Sequence, residues 1–169
     1  MYYGEAVVKD KEYKIGIAQH KTCKPPDKLV TLGLGSCVGV VLLDKVSGIG
    51  GMIHIMLPDS THFSKAINPS KYADTGIPLL LQEVLKMGAK RNNLHAKIAG
   101  GAQMFKSQSG SSLLNIGERN TEKTHEVLHS LGIRITGEDT GGTVGRTMIL
   151  DCSLKKVFVR TVGSSPKEI

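Results

Sequence analysis

Apolar positions along the chain follow two rhythms, and the points where they break are the informative ones. Leu29 to Leu32 is a short apolar run ending in glycines, and Val38 to Leu43 is continuously apolar and rich in β-branched residues. An unbroken run of that length predicts a strand covered on both faces. The turn DKVSGIGG follows, then GMIHIMLP, a second strand closed by Pro58. So short a connection predicts an antiparallel pair. After a polar stretch from Asp59 to about Ser70 the period changes. Ile77, Leu80, Leu81, Val84 and Leu85 fall on one stripe of a helix, with Asp74 placed to cap its start and Gly88 its end.

LHAKIAGGA reads as a strand ending in a Gly-Gly turn, and FKSQSGSS as a surface loop. A second helix is predicted over IGERNTEKTHEVLHSLG, with Thr124, Val127, Leu128 and Leu131 on one face, Asn120 as N-cap and Gly132 as terminator. IRITGED, RTMILD and KVFVRT complete the strands. Residues 1–28 show no clear period, and KTCKPPDK reads as a loop. The expectation is one domain over residues 1–169, a layered α/β sandwich with mostly antiparallel strands and two main helices. Its ends, 1–5 and 163–169, are expected to be flexible. No internal repeat is visible.

Composition narrows the function classes. With 40% hydrophobic residues the chain is globular, but with 4% aromatics and no Trp its core rests on Ile, Leu, Val, Met and Ala. No apolar run reaches the ~20 residues of a membrane helix, and the acidic start lacks a signal-type block, so a cytoplasmic protein without membrane insertion is expected. Three cysteines (Cys23, Cys37, Cys152) at irregular spacing predict reduced thiols rather than a disulfide scaffold. The net charge of +7 favours acidic partners. Without an arginine run or interleaved aromatics, nucleic acid is not the expected one.

The glycine-rich stretch TLGLGSCVGVVLLD carries the candidate chemistry. A dinucleotide fingerprint needs a helix directly after its glycines, and strand follows here. Zinc is disfavoured because no C-x-x-C pair exists, so neither cofactor nor metal is expected. A lone core thiol is the simplest alternative for Cys37. The glycines at 33, 35 and 39 argue for a nucleophile instead, because they clear space for an approaching backbone. A thiol nucleophile needs a base, and His54 lies 54 − 37 = 17 residues on, across one strand reversal. The imidazole in turn needs an orienting group. The two central strands offer no acid near it, which leaves the hydroxyl or carbonyl of Thr31.

These residues resemble the signature of the CheD family, bacterial chemoreceptor glutamine deamidases. The match runs through VTLGLGSCVGVVLLD…GGMIHIMLPDS, KYADTGIPLLLQEVLKMGAKRNNLHAKIAGGAQMF, NIGERN and EDTGGTVGR, from about Val30 to Arg146. The resemblance implies catalytic roles for Cys37, His54 and Thr31, and a fold similar to the catalytic domain of deamidating toxins. It implies methyl-accepting chemoreceptors as substrates, a side activity on glutamyl methyl esters, and the CheY-phosphate phosphatase CheC as partner. The expected reaction is attack of Cys37 on a receptor glutamine, ammonia release, and thioester hydrolysis to glutamate. Backbone N–H groups of the Gly35-Ser36-Cys37 turn are the expected oxyanion donors. Two alternatives remain: a non-catalytic regulator that binds receptors and stimulates CheC, or a cysteine hydrolase of another amide. Gln103, and Asn120 or Arg119 of NIGERN at the pocket rim, are weaker candidates near the site, with capping the favoured role of Asn120; GGTVGR is expected to be a plain turn. His20, His62, His95, His125 and His129 are expected to titrate at the surface.

Overall fold

The computed structural model describes residues 8–63, 65, 68–105 and 115–169. In chain order it contains β1 (Glu12–Ile15), β2 (His20–Cys23), β3 (Lys28–Leu34), β4 (Val38–Asp44), β5 (Gly50–Ile55), α1 (Ala73–Lys86), β6 (Leu94–Gly100), α2 (Ile116–Ser130), β7 (Ile135–Thr140), β8 (Arg146–Asp151), β9 (Lys156–Arg160) and β10 (Lys167–Glu168). Two five-stranded sheets form, ordered β1-β3-β8-β9-β10 and β2-β5-β4-β6-β7. Only the β1–β3 and β6–β7 pairings are parallel. The expected α/β sandwich of mostly antiparallel strands with two helices is what the chain forms.

Strand β4 shows why its sequence is apolar throughout. Val38, Val40 and Leu42 face one core together with Ile53, Ile55, the α1 stripe Ile77, Leu80, Leu81 and Val84, and Val127 and Leu128 of α2. Val41 and Leu43 face the other core, between the sheets, with Leu29, Leu34, Met52, Met148 and Leu150. Helices cover one side of this sheet and the second sheet covers the other, so neither face can be polar. Burying each such aliphatic side chain contributes roughly 1.5–3 kcal/mol.

Several local expectations are corrected. Strands β1 and β2 lie in the segment without a clear period, and β2 takes up the first half of the expected KTCKPPDK loop. Asp74 lies inside the first turn of α1, after Tyr72 at the N-cap; its carboxylate accepts from the Ser60 N–H and Oγ–H at 3.0 and 2.7 Å. Helix α2 begins earlier than a cap at Asn120 requires, with Asn115 at the N-cap. Lys167–Glu168 pairs with β9, and Ile169 receives a bond from Lys97 Nζ at 2.7 Å. Residues 1–5 and most of the FKSQSGSS loop lie outside the described residues.

The cysteine expectation also changes. Cys23 at the end of β2 and Cys152 just after β8 come from different sheets and 129 residues apart, yet meet in the inter-sheet core as a disulfide. Cys37 is the free thiol. Among the described residues no helix is long and apolar enough to cross a membrane, and no group of His, Cys, Asp and Glu side chains is arranged to hold a metal.

Candidate active site

The β-pleat decides which side chains meet. Gly39 of β4 pairs directly with His54 of β5, so both face the same side of their sheet. Gly39 sits on the inter-sheet side, where an added Cβ would come within 2.9 Å of Leu34 Cδ1 and Met148 Sδ. His54 therefore points between the sheets, while its neighbours Ile53 and Ile55 point to the helices. Two residues before Gly39, partly buried Cys37 packs against the inter-sheet core as well. Thiol and imidazole thus both border the inter-sheet core, Cys37 from the bend that leads into β4 and His54 from β5. They do not hydrogen-bond to each other in this structure. Catalytic contacts of this kind often close only around substrate.

Thr31 completes the group from the opposite sheet. It lies two residues on from inward-facing Leu29 on β3 and so on the same face, is fully buried, and meets His54 Nδ1 at 2.7 Å through Oγ1. The same Oγ1 donates to the Ile15 carbonyl at 2.8 Å. A hydroxyl has one hydrogen, and this one is committed to Ile15. Its oxygen must then accept from His54, which places the ring proton on Nδ1 and leaves Nε2 as a bare lone pair. Nε2 is buried with no partner among the described residues. Burial pulls the His54 pKa down to about 4 and pushes the Cys37 thiol up. The resting pair is a neutral imidazole beside a neutral thiol, not an ion pair.

The turn before β4 is held by its carbonyls. Gly35 O accepts from Ala102 N at 2.8 Å, and Cys37 O from Gly101 N at 2.8 Å. Gly100 and Gly101 have φ of 109° and 63°, so the Gly-Gly turn after β6 can approach this closely only without side chains. At Gly100 a Cβ would collide with the Cys37 carbonyl. The Gly35 N–H is turned to Gly33 O at 2.9 Å, which removes it from the expected set of oxyanion donors. Among the described residues the Ser36 and Cys37 N–H groups have no acceptor.

Other candidates fall at the periphery. Gln103 lines a cavity of about 640 Å³ beside the N-terminus of α2, and Gly33 and Met104 line one of about 410 Å³ on the other side of the turn. Neither is lined by Cys37 or His54, and Cys37 itself is partly buried. Arg119 borders a smaller hollow with Asp59 and His62. GGTVGR forms the expected turn, but its arginine does more than end it. Buried Arg146 pairs through Nε with Asp139 at 3.1 Å. Among the histidines, His20 Nδ1 is tied to Ser70 Oγ at 2.7 Å and His125 to Glu138 at 2.9 Å. His95 is half-buried, and burial first, then Lys97 and Lys45, lower its pKa. Sequence reasoning favoured a helix cap for Asn120 over a place at the pocket rim, and the cap falls to Asn115. The fully buried Asn120 amide reaches the Ser36 carbonyl, and the NIGERN block was the available signal.

A family described as CheD chemotactic sensory transduction matches residues 56–161. A protein of Desulforamulus reducens named "Probable chemoreceptor glutamine deamidase CheD" is 51% identical over 158 residues, 94% of this chain and 95% of its own. One of the same name from Clostridium botulinum is 52% identical over 159 residues, 94% of this chain and 98% of its own. The chain belongs to the CheD family.

Proposed function

We propose that the protein is a chemoreceptor glutamine deamidase with Cys37 as nucleophile, His54 as general base and acid, and Thr31 as the group that orients His54. The observation that carries the reading is His54, pinned through Nδ1 to Thr31, with Nε2 buried and bare among the described residues. The relatives' printed names supply the substrate class.

A receptor glutamine presents its carboxamide at the open turn. Nε2 takes the thiol proton as sulfur bonds to the amide carbon, so the thiolate forms only at the moment of attack. Because both groups rest neutral, this concerted transfer avoids a resting thiolate–imidazolium pair in a buried site; the imidazolium forms together with the oxyanion it balances. The carbonyl oxygen becomes an oxyanion facing the Ser36 and Cys37 N–H groups, and one such donor typically contributes about 3–4 kcal/mol. Nε2–H then protonates the nitrogen, the C–N bond breaks, and ammonia leaves a thioester. Water, deprotonated by the same nitrogen, attacks the thioester carbon. The tetrahedral species collapses to glutamate and the thiol. Glutamyl methyl esters pass through the same species with methanol as leaving group.

The substrate side chain is borne on a receptor helix. Exposed Leu32, Met104, Val144 and Val162 around the turn give such a helix apolar contacts. A cytoplasmic location follows from receptor signalling regions as substrate. The CheC phosphatase remains the partner implied by the family resemblance. The test is mass spectrometry of a receptor cytoplasmic fragment incubated with the protein. A gain of about one dalton at a glutamine, with ammonia released and both lost in Cys37→Ala, is the expected result. Chain scission, or activity that survives Cys37→Ala, overturns the proposal.

A further inference from the structure

We propose that Asn120 is a positioning residue that sets the direction of the Cys37 N–H. This rests on the deamidase reading above and concerns how the oxyanion site is held open. Asn120 lies in the second turn of α2 and is fully buried. Its Nδ2 donates to two main-chain carbonyls, Ser36 at 2.9 Å and Met56 at 3.0 Å. Ser36 immediately precedes the thiol, and Met56 lies two residues beyond His54. One amide thus ties the nucleophile turn to the end of the histidine strand, reaching both from the helix layer.

The chemistry is specific to an amide. A single NH₂ offers two donors at one atom, as two converging carbonyls require. The carboxylate of Asp would set an anionic oxygen against both. Asn120 Oδ1, meanwhile, is buried without a partner among the described residues. An unpartnered buried acceptor opposes folding, so stability alone does not account for a polar group here.

The Ser36 carbonyl and the Cys37 N–H belong to one trans peptide and point in opposite directions. Drawing the oxygen toward α2 turns the N–H toward the face that bears the thiol and His54. The carbonyls on either side are held by main-chain donors, Ala102 N and Gly101 N. Among the described residues the Ser36 carbonyl is held by Asn120 alone. Without that amide the Ser36–Cys37 peptide can rotate with no other bond broken, and the carbonyl oxygen would then enter the space the oxyanion needs.

The test compares Asn120→Asp with the wild-type chain in two assays. The first is steady-state deamidation of a receptor fragment. The second is alkylation of Cys37 by iodoacetamide, a direct displacement that builds no oxyanion. Loss of one oxyanion donor typically lowers kcat about 10²–10³-fold. A displaced rather than deleted donor is expected to lower it at least about tenfold, with KM and the alkylation rate within about twofold of wild type. If circular dichroism shows that Asn120→Asp does not fold, Asn120→Ser is read instead. Its hydroxyl keeps one donor, and a smaller fall in kcat with unchanged alkylation is expected. Wild-type kcat in the variant that folds overturns the assignment, and so does a parallel fall in deamidation and alkylation. A wild-type protein that alkylates but releases no ammonia from the receptor fragment overturns the deamidase reading itself, and the assignment with it.

Discussion

Replacing Thr31 by valine isolates the hydroxyl that orients His54. The two side chains have nearly the same shape, and Thr31 is fully buried, so no cavity opens and only polar contacts are lost. Two hydrogen bonds disappear, to Ile15 O at 2.8 Å and to His54 Nδ1 at 2.7 Å. Each is worth about 1 kcal/mol net, and the stranded Ile15 carbonyl and Nδ1–H raise the cost, for a total of about 2–4 kcal/mol. Catalysis suffers separately. With no acceptor at Nδ1 the ring proton can move to Nε2, which then donates where it must accept. Losing one orienting bond of about 1–2 kcal/mol lowers kcat roughly 5–30-fold. His54→Ala, which removes the base, is expected to lower it about 10²–10⁴-fold. KM should hold, since buried Thr31 does not face the substrate. Coupled ammonia release gives kcat and KM, and urea unfolding followed by far-UV circular dichroism gives stability. Thr31→Ser keeps the oxygen and should retain most of the activity. Wild-type kcat in Thr31→Val refutes the orienting role. Equal losses in the serine and valine variants would point to packing instead.

Three further outcomes follow from the same contacts. His54 is held at about 4 by burial against an ordinary 6.5, so between those values the unfolded chain takes a proton that the folded chain refuses. Stability is then intact above pH 6.5 and falls by about 3 kcal/mol on acidification to pH 4; urea midpoints measured against pH should show this slope, and His54→Leu should flatten it. Burial pushes the Asp44 carboxyl up, but the N–H groups of Lys90, Ser47 and Val46 outweigh it and hold the pKa at about 2. Asp44→Asn should destabilise by about 2 kcal/mol at neutral pH, and the difference should shrink as acid protonates the folded wild type from pH 4 toward 2. Gly100→Ala combines a φ of 109° with a clash against the Cys37 carbonyl, whereas Gly163, with a φ of 76°, has nothing within 4 Å. Thermal melts should show about 1 kcal/mol lost in Gly163→Ala with activity kept, and at least about twice that with activity lost in Gly100→Ala.

What the sequence made legible was whatever burial dictates. The unbroken β4 run, the β4–β5 reversal and the α1 stripe follow from which faces are covered, and the structure has all three. The orienting partner of His54 was legible only by elimination, because no acid lay nearby. What escaped was held by contacts without periodicity. Strands β1, β2 and β10 are two to four residues long and mostly solvent-facing, so alternation cannot declare them. Cys23 and Cys152 looked unpaired because their meeting depends on how two sheets stack. Asn120 resembled a cap because a polar residue near a helix start usually is one; its two carbonyl partners lie 84 and 64 residues away.

The contact between Thr31 and His54 spans the seam where one sheet rests on the other. In the proposed mechanism base and orienter therefore acquire each other only when both layers have docked. A nascent or half-assembled chain holds a cysteine but no tuned imidazole, and stays inert toward the amides around it. Competence to cleave amides arrives together with the finished architecture.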